Sequence, residues 1–235
     1  MRKTMILAAL AAATTLASPA MAGSADGKWQ IKVLATGVLP DGEIDKVKSI
    51  DTTTTLGSTI ATVAATGNPQ TRANDNVVPT LAVEYFFSKN FSVETICCFT
   101  QHHVSGDKAL AGTDIVDHVL ILPATLTLKA HLDTGGPIKP YVGAGPALFI
   151  VFDEKPGATA KALGIDKVKM SNSLGVVAQA GVDIALNEQG WGLSLDAKKY
   201  WIKPTAKFYD GGVLALETKH NLDPWVVSAG VSYRF

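Results

Sequence analysis

His102, His103, Ser105 and Asp107 supply the side-chain types of a hydrolytic site, and Asp114, Asp117 and His118 follow across the next loop. A hydroxyl becomes a nucleophile when an imidazole takes its proton and a carboxylate orients that imidazole. The same groups could instead hold a metal. Adjacency works against both. In an extended chain His102 and His103 point to opposite faces, so they cannot grip one ion, and no nucleophile-elbow motif frames Ser105. The neighbouring Cys97 and Cys98 meet the same limit. Their Cα atoms lie about 3.8 Å apart, below the usual disulfide range, and strand side chains diverge. They read as free thiols acting as small apolar residues. The expectation is no catalytic residue, no metal site and no cofactor.

The elements that would position any site are strands. Arg2 and Lys3, the apolar run to Leu16 and the small-residue site Ala20-Met21-Ala22 read as a secretory signal peptide over residues 1–22, too short to span a membrane as a helix. One domain over 23–235 follows, since no Pro-, Gly- or Ser-rich linker divides it. Cleavage would remove two of the 21 basic residues and none of the 21 acidic ones, leaving a net charge near −2 and no basic field for nucleic acid. Turn signals cut the rest into eight strand-like pieces: 28–39, 77–87, 90–102, 116–132, 137–152, 171–186, 191–203 and 224–235. These are longer than soluble strands and suit a tilted span of bilayer. Short connections (Ser88-Lys89, "DTGG", "NEQG") alternate with long ones at 40–76, 103–115, 153–170 and 204–223, as in a barrel with turns at one rim and loops at the other.

Alternation assigns the faces. Leu81, Val83 and Tyr85 oppose Ala82 and Glu84; Leu126 and Leu128 oppose Thr125, Thr127 and Lys129; Leu193 and Leu195 oppose Ser194 and Asp196. An apolar band therefore runs round the assembly. Aromatics gather toward its ends: Trp29, Tyr85, Phe87, Phe91, Tyr141, Trp191, Tyr233 and Phe235 at the short-turn rim, and Phe99, Phe149, Trp201 and Trp225 at the other. Two girdles flanking an aliphatic belt fit a barrel whose greasy face meets lipid rather than a water-soluble barrel. The fold class is all-β, an eight-stranded antiparallel transmembrane β-barrel.

The stretches "PTLAVEYFFSKNFSVE" (79–94), "LPATLTLKAHL" (122–132) with "IKPYVGAG" (138–145), "GVDIALNEQGWGLSLDAKKYW" (181–201) and "LDPWVVSAGVSYRF" (222–235) resemble the OmpW family of Gram-negative outer-membrane proteins. The resemblance implies an outer-membrane location surrounded by outer-membrane lipid. It also implies insertion by the barrel assembly machinery, with Tyr233 and Phe235 as the signal, and a role in passage of small hydrophobic solutes. Receptor roles in the family depend on loops, which here carry no family motif.

Inside so narrow a barrel, Lys32, Glu84, Glu94, Lys129, Asp183, Asp196 and Lys198 must pair with one another, because an unpaired buried charge is costly. Leu34, Val38, Val119, Ile121, Leu148, Ile150 and Phe152 are expected to line an apolar cup near the outer mouth, or simply to pack it. If "DTGG" is the turn, Leu132 pairs with Pro137 and Pro123 falls opposite Pro146. Neither proline donates to the ladder, so a lateral seam is expected there, unless the pair sits at a bulge. The rival readings are an envelope barrel without transport, a loop-displaying surface receptor and, further off, a lipid-modifying enzyme. The Thr-rich segment 40–76 reads as a long connection suited to flexible display.

Overall fold

The computed structural model describes residues 23–24 and 26–235, so the predicted signal peptide lies outside the described residues. The elements are β1 (Trp29–Leu39), β2 (Glu43–Ile50), α1 (Thr55–Thr66), β3 (Pro69–Ala73), β4 (Asn76–Phe86), β5 (Phe91–Cys97), β6 (Thr100–Lys108), β7 (Asp114–His131), β8 (Ile138–Pro156), α2 (Ala158–Ala162), β9 (Lys167–Met170), β10 (Ser173–Ala185), β11 (Trp191–Trp201), β12 (Thr205–Asp210), β13 (Val213–Asn221) and β14 (Trp225–Arg234). Eight antiparallel spans close a barrel in the order β1, β4, β5 continued by β6, β7, β8, β10, β11 and β14, which returns to β1. Closure leaves no open edge, as lipid demands of any structure that crosses it with strands.

The facing follows the alternation. Val33, Leu81, Leu126, Leu128, Leu195 and Val231 are exposed on the outside, while Lys32, Glu84, Lys129 and Lys198 are buried within. Such an inverted distribution suits a cylinder bathed in lipid. Short turns close one rim, as at residues 187–190, where the Asn187 side chain accepts from the Trp191 N–H and Gly190 takes a positive φ.

At the other rim the long connections fold. β2, β13, β12 and β9 form a second, four-stranded sheet, each strand continuing a barrel strand: β1, β14, β11 and β10, in the same order. On the opposite side β3 extends the wall through β6. The segment 40–76 is therefore ordered, which corrects its reading as a flexible display loop. Its helix α1 begins where the Thr54 side chain accepts from the Gly57 N–H at 3.1 Å, and its Thr hydroxyls are absorbed by carbonyls one turn back, as Thr59 is by Thr55. Leu56, Ile60 and Val63, spaced i, i+4 and i+7, then face inward.

One register differs from expectation. His131 pairs with Tyr141, and the β7–β8 ladder keeps that frame up to Leu120 opposite Phe152, beyond which a bulge shifts the register at His118. The connection is longer than "DTGG", with the Leu132 N–H donating to the Pro140 carbonyl. The offset against the expected pairing is three residues, an odd number, so every β8 side chain changes face. Tyr141 and Phe149 are buried in the lumen rather than standing in the girdles, and Leu148 is exposed. Pro123 sits opposite Phe149, and Pro146 points outward, so the two prolines do not pair.

Candidate functional site

The lower lumen is a charged plug. Each barrel strand presents alternate residues inward, and the seven predicted charges converge. Lys32 lies 2.9 Å from Glu84, 3.2 Å from Glu94 and 3.1 Å from Asp183. Lys129 lies 2.9 Å from both Glu84 and Glu94. Lys198 bridges Glu94 at 3.2 Å and Asp196 at 2.5 Å. The remaining oxygens are satisfied by neutral groups: Ser194 donates to Asp183 at 2.6 Å, Gln179 to Glu94 at 2.8 Å and to Asp196 at 2.7 Å, and Tyr141 to Asp196 at 2.8 Å. The Lys129 ammonium also lies 3.6 Å from the centre of the Tyr141 ring. Buried ions tolerate such a site only when fully bonded, and an ion or solute passing through would have to break several of these contacts at once.

Above the plug the lumen is packed. Of the expected cup, Leu34, Val38, Val119 and Ile121 are buried inside, while Leu148 faces out because β8 is in the other frame. Phe152 shares that outer side and packs edge-on against the exposed Phe99, and Ile150 lies between them in parity. Phe149 and Tyr200 fill the place instead, their rings 5.3 Å apart. The void they leave is only about 30 Å³.

A large apolar cavity lies higher, under the extracellular sheet, with a volume of about 320 Å³; a polar cleft of about 380 Å³ at the short-turn rim is lined by Lys28, Lys89, Asp133, Lys139 and Arg234. The sheet's inward residues, among them Ile44, Val47, Ala206, Phe208 and Leu216, form one wall, and α1 lies against the space with Leu56, Ile60 and Val63. Leu222 lines both this vestibule and the small void below. No charged side chain lines the vestibule, and its polar groups are already engaged. Thr71 donates to the Gly42 carbonyl at 2.6 Å, Thr218 meets His220 at 2.7 Å, Thr113 donates to the Leu110 carbonyl at 2.7 Å, and the Thr159 hydroxyl accepts from the Asp114 N–H at 2.9 Å. Burial pushes the His220 imidazole below its ordinary value, partly countered by the Gly42 carbonyl. An occupant would thus meet carbon almost everywhere. Sequence reasoning missed this site because it lies between loops. The spacing of Leu56, Ile60 and Val63 was the one local signal for it.

The other candidates stay apart. His102 is buried with both ring nitrogens engaged, by Thr100 and by the Asn74 carbonyl, each at 2.8 Å. His103 points outward toward Asp117, so Ser105, Asp107 and the histidines form no relay. Cys97 is exposed and Cys98 buried, both free. At Pro146 the β7–β8 ladder does lapse opposite Leu126 and Thr127, yet the strands remain close: a methyl group added to Gly145 would collide with the Leu126 carbonyl.

Comparison with known proteins places this geometry. An outer-membrane protein of Sinorhizobium fredii, y4mB, is 30% identical over 96% of this chain and 90% of its own length. Outer membrane protein W of Vibrio cholerae is 26% identical over 96% of this chain and 97% of its own. The crystal structure of the outer membrane protein OprG of Pseudomonas aeruginosa, at 22% identity, superimposes with a TM-score of 0.73 over 92% of this chain and 99% of that one, which shows a shared fold. The description "OmpW family" matches residues 25–235, and the chain is a β-barrel of the outer membrane belonging to the OmpW family.

Proposed function

We propose that the protein captures small, uncharged hydrophobic molecules in the extracellular vestibule and passes them into the outer membrane rather than conducting them along the barrel axis. The vestibule carries this reading: it is the one large cavity described with a lining of carbon and engaged polar groups. A carboxylate or ammonium would be desolvated there without a partner, at a cost of several kcal/mol. A straight route to the periplasm runs into the plug of Lys32, Lys129, Lys198 and their four carboxylates. A sideways route needs no charge to be unpaired. Insertion by the barrel assembly machinery, with Tyr233 and Phe235 as its signal, belongs to the same reading.

The test is binding of an apolar fluorophore, N-phenyl-1-naphthylamine, to the purified barrel in lipid nanodiscs. Ile60→Trp, which fills the vestibule from α1, is expected to abolish a saturable fluorescence gain, and decane to compete where decanoate does not. Equal binding by the filled variant would place the fluorophore elsewhere and remove the reading. Planar-bilayer recordings should show no steady ion current above the protein-free bilayer.

A further inference from the structure

Inward-facing side chains run in unbroken rows from the extracellular sheet down into the barrel. One row passes from β13 to β14 through His220, Leu222, Pro224 and Val226, all buried. A second passes from β12 to β11 through Ala206, Pro204, Ile202 and Tyr200, again all buried. His220, Ala206 and Pro204 line the vestibule, whereas Pro224, Val226 and Tyr200 line the void of about 30 Å³ below it. Leu222 lines both, and among the described residues no other does. Its side chain therefore stands between the two spaces.

The backbone holds it there. β13 ends at Asn221 and β14 begins at Trp225, so Leu222 falls in the joint where the extracellular sheet passes into the barrel. Its N–H donates to the Ile202 carbonyl at 3.2 Å, and its own carbonyl accepts from the Asp41 N–H at 3.0 Å. The next residue, Asp223, takes a positive φ, and its carboxylate accepts from the Ile202 N–H at 2.6 Å. A joint bonded to both neighbouring strands fixes the main chain, so the depth of the vestibule at this point is set by what Leu222 carries beyond Cβ.

We propose that Leu222 is the floor of the vestibule and sets the greatest length of hydrophobic chain that the site takes. The inference rests on the vestibule being the binding site. Each methylene buried there adds about fourfold to affinity, and one that finds no room stays in water and adds nothing. Affinity along a homologous series therefore rises and then levels off at the chain that reaches Leu222. Cutting the side chain back to Cβ joins the vestibule to the void beneath, whose lining includes Phe149 packed against Tyr200. The site deepens while the plug below it stays intact.

The experiment uses the full barrel in nanodiscs and the displacement of N-phenyl-1-naphthylamine by straight-chain primary alcohols from hexanol to tetradecanol, each affinity referred to the free alcohol in water. In the unaltered chain affinity should climb about fourfold per methylene and then reach a plateau. Leu222→Ala should move the plateau to alcohols about three carbons longer, and the milder Leu222→Val to alcohols about one carbon longer. Ile96→Ala enlarges the void from another wall without opening the floor, and should leave the plateau where it is. A purely structural role for Leu222 would change the stability of its variants, not the chain length at which affinity levels off. An unmoved plateau in the folded Leu222 variants overturns the proposal, as does an equal shift in Ile96→Ala. Saturable binding with a plateau that ignores Leu222 removes the floor and keeps the vestibule, whereas absence of saturable binding to the unaltered chain removes both.

Discussion

Gln70 of β3 takes both main-chain groups of Ile44 in β2: its Oε1 accepts from the Ile44 N–H at 2.8 Å and its Nε2 donates to the Ile44 carbonyl at 3.3 Å. No ladder joins these strands, because β2 belongs to the extracellular sheet and β3 to the barrel sheet. One side-chain amide therefore stands in for a missing rung. At the opposite junction Glu154 of β8 accepts from the Met170 N–H of β9 at 3.0 Å. The vestibule wall is thus held at two seams by side chains. Replacing Gln70 by Ala removes two hydrogen bonds, which is worth about 1–3 kcal/mol locally. Amide exchange at Ile44 should accelerate by one to two orders of magnitude while the β1–β4 amides hold their protection. If exchange at Ile44 does not change, the seam is held by other contacts.

Lys129 is fully buried between Glu84 and Glu94, and Lys32 is the only other ammonium that reaches both carboxylates among the described residues. Lys129→Met leaves a surplus of buried negative charge, and breaking a buried pair from one side costs about 3–5 kcal/mol. The variant should unfold at markedly lower denaturant in detergent. Coupling Lys129→Met with Glu94→Gln should recover part of the loss, since one uncompensated charge is withdrawn. A double variant as unstable as the two losses added together would mean that these groups act independently.

His220 makes the vestibule sensitive to acid. Burial holds its imidazole below the ordinary value of 6.5. The unfolded chain therefore takes up the proton first, and the folded vestibule only at lower pH. The stability that neutral His220 contributes is complete above about pH 6.5 and is lost as pH falls through the folded value, at about 1.4 kcal/mol for each unit of difference. Protection of β13 amides, taken relative to the intrinsic exchange rate at each pH, should fall between pH 7 and 5, and His220→Gln should flatten that fall. A variant that keeps the full pH dependence would assign it to another group.

The barrel and its plug were legible because period-two alternation needs only neighbours in sequence: Lys32, Glu84, Lys129 and Asp196 are each flanked by residues that belong outside. β8 was misread because its face hangs on one turn length. The alternation of Tyr141, Gly143, Gly145, Ala147 and Phe149 could have corrected it, since glycines suit a crowded lumen: a methyl group at Gly143 would stand 3.0 Å from the Lys129 side chain. The vestibule was not legible, because β2, β9, β12 and β13 are short, lysine-rich strands whose apolar sides meet only once the barrel has set their order. α1 was hidden by its Thr content, which disguises a helical spacing of apolar residues.

Cys97 and Cys98 offer a direct check on which face meets lipid. They are neighbours at the end of β5; the first is exposed on the outer wall and the second buried in the lumen beside Tyr200 and Pro123. Both are free thiols, so the pair differs in environment rather than in chemistry. A lipid-soluble maleimide should react with Cys97 in the folded barrel and spare Cys98, and denaturation should expose both. A bulky water-soluble maleimide should label neither in nanodiscs, because Cys97 lies against acyl chains and Cys98 above a sealed plug. Cys98→Ser should leave the lipid-phase reaction intact, whereas Cys97→Ser should abolish it. Labelling of Cys98 from water in the folded state would mean that the upper lumen is open to solvent, which contradicts the packing of Phe149 against Tyr200.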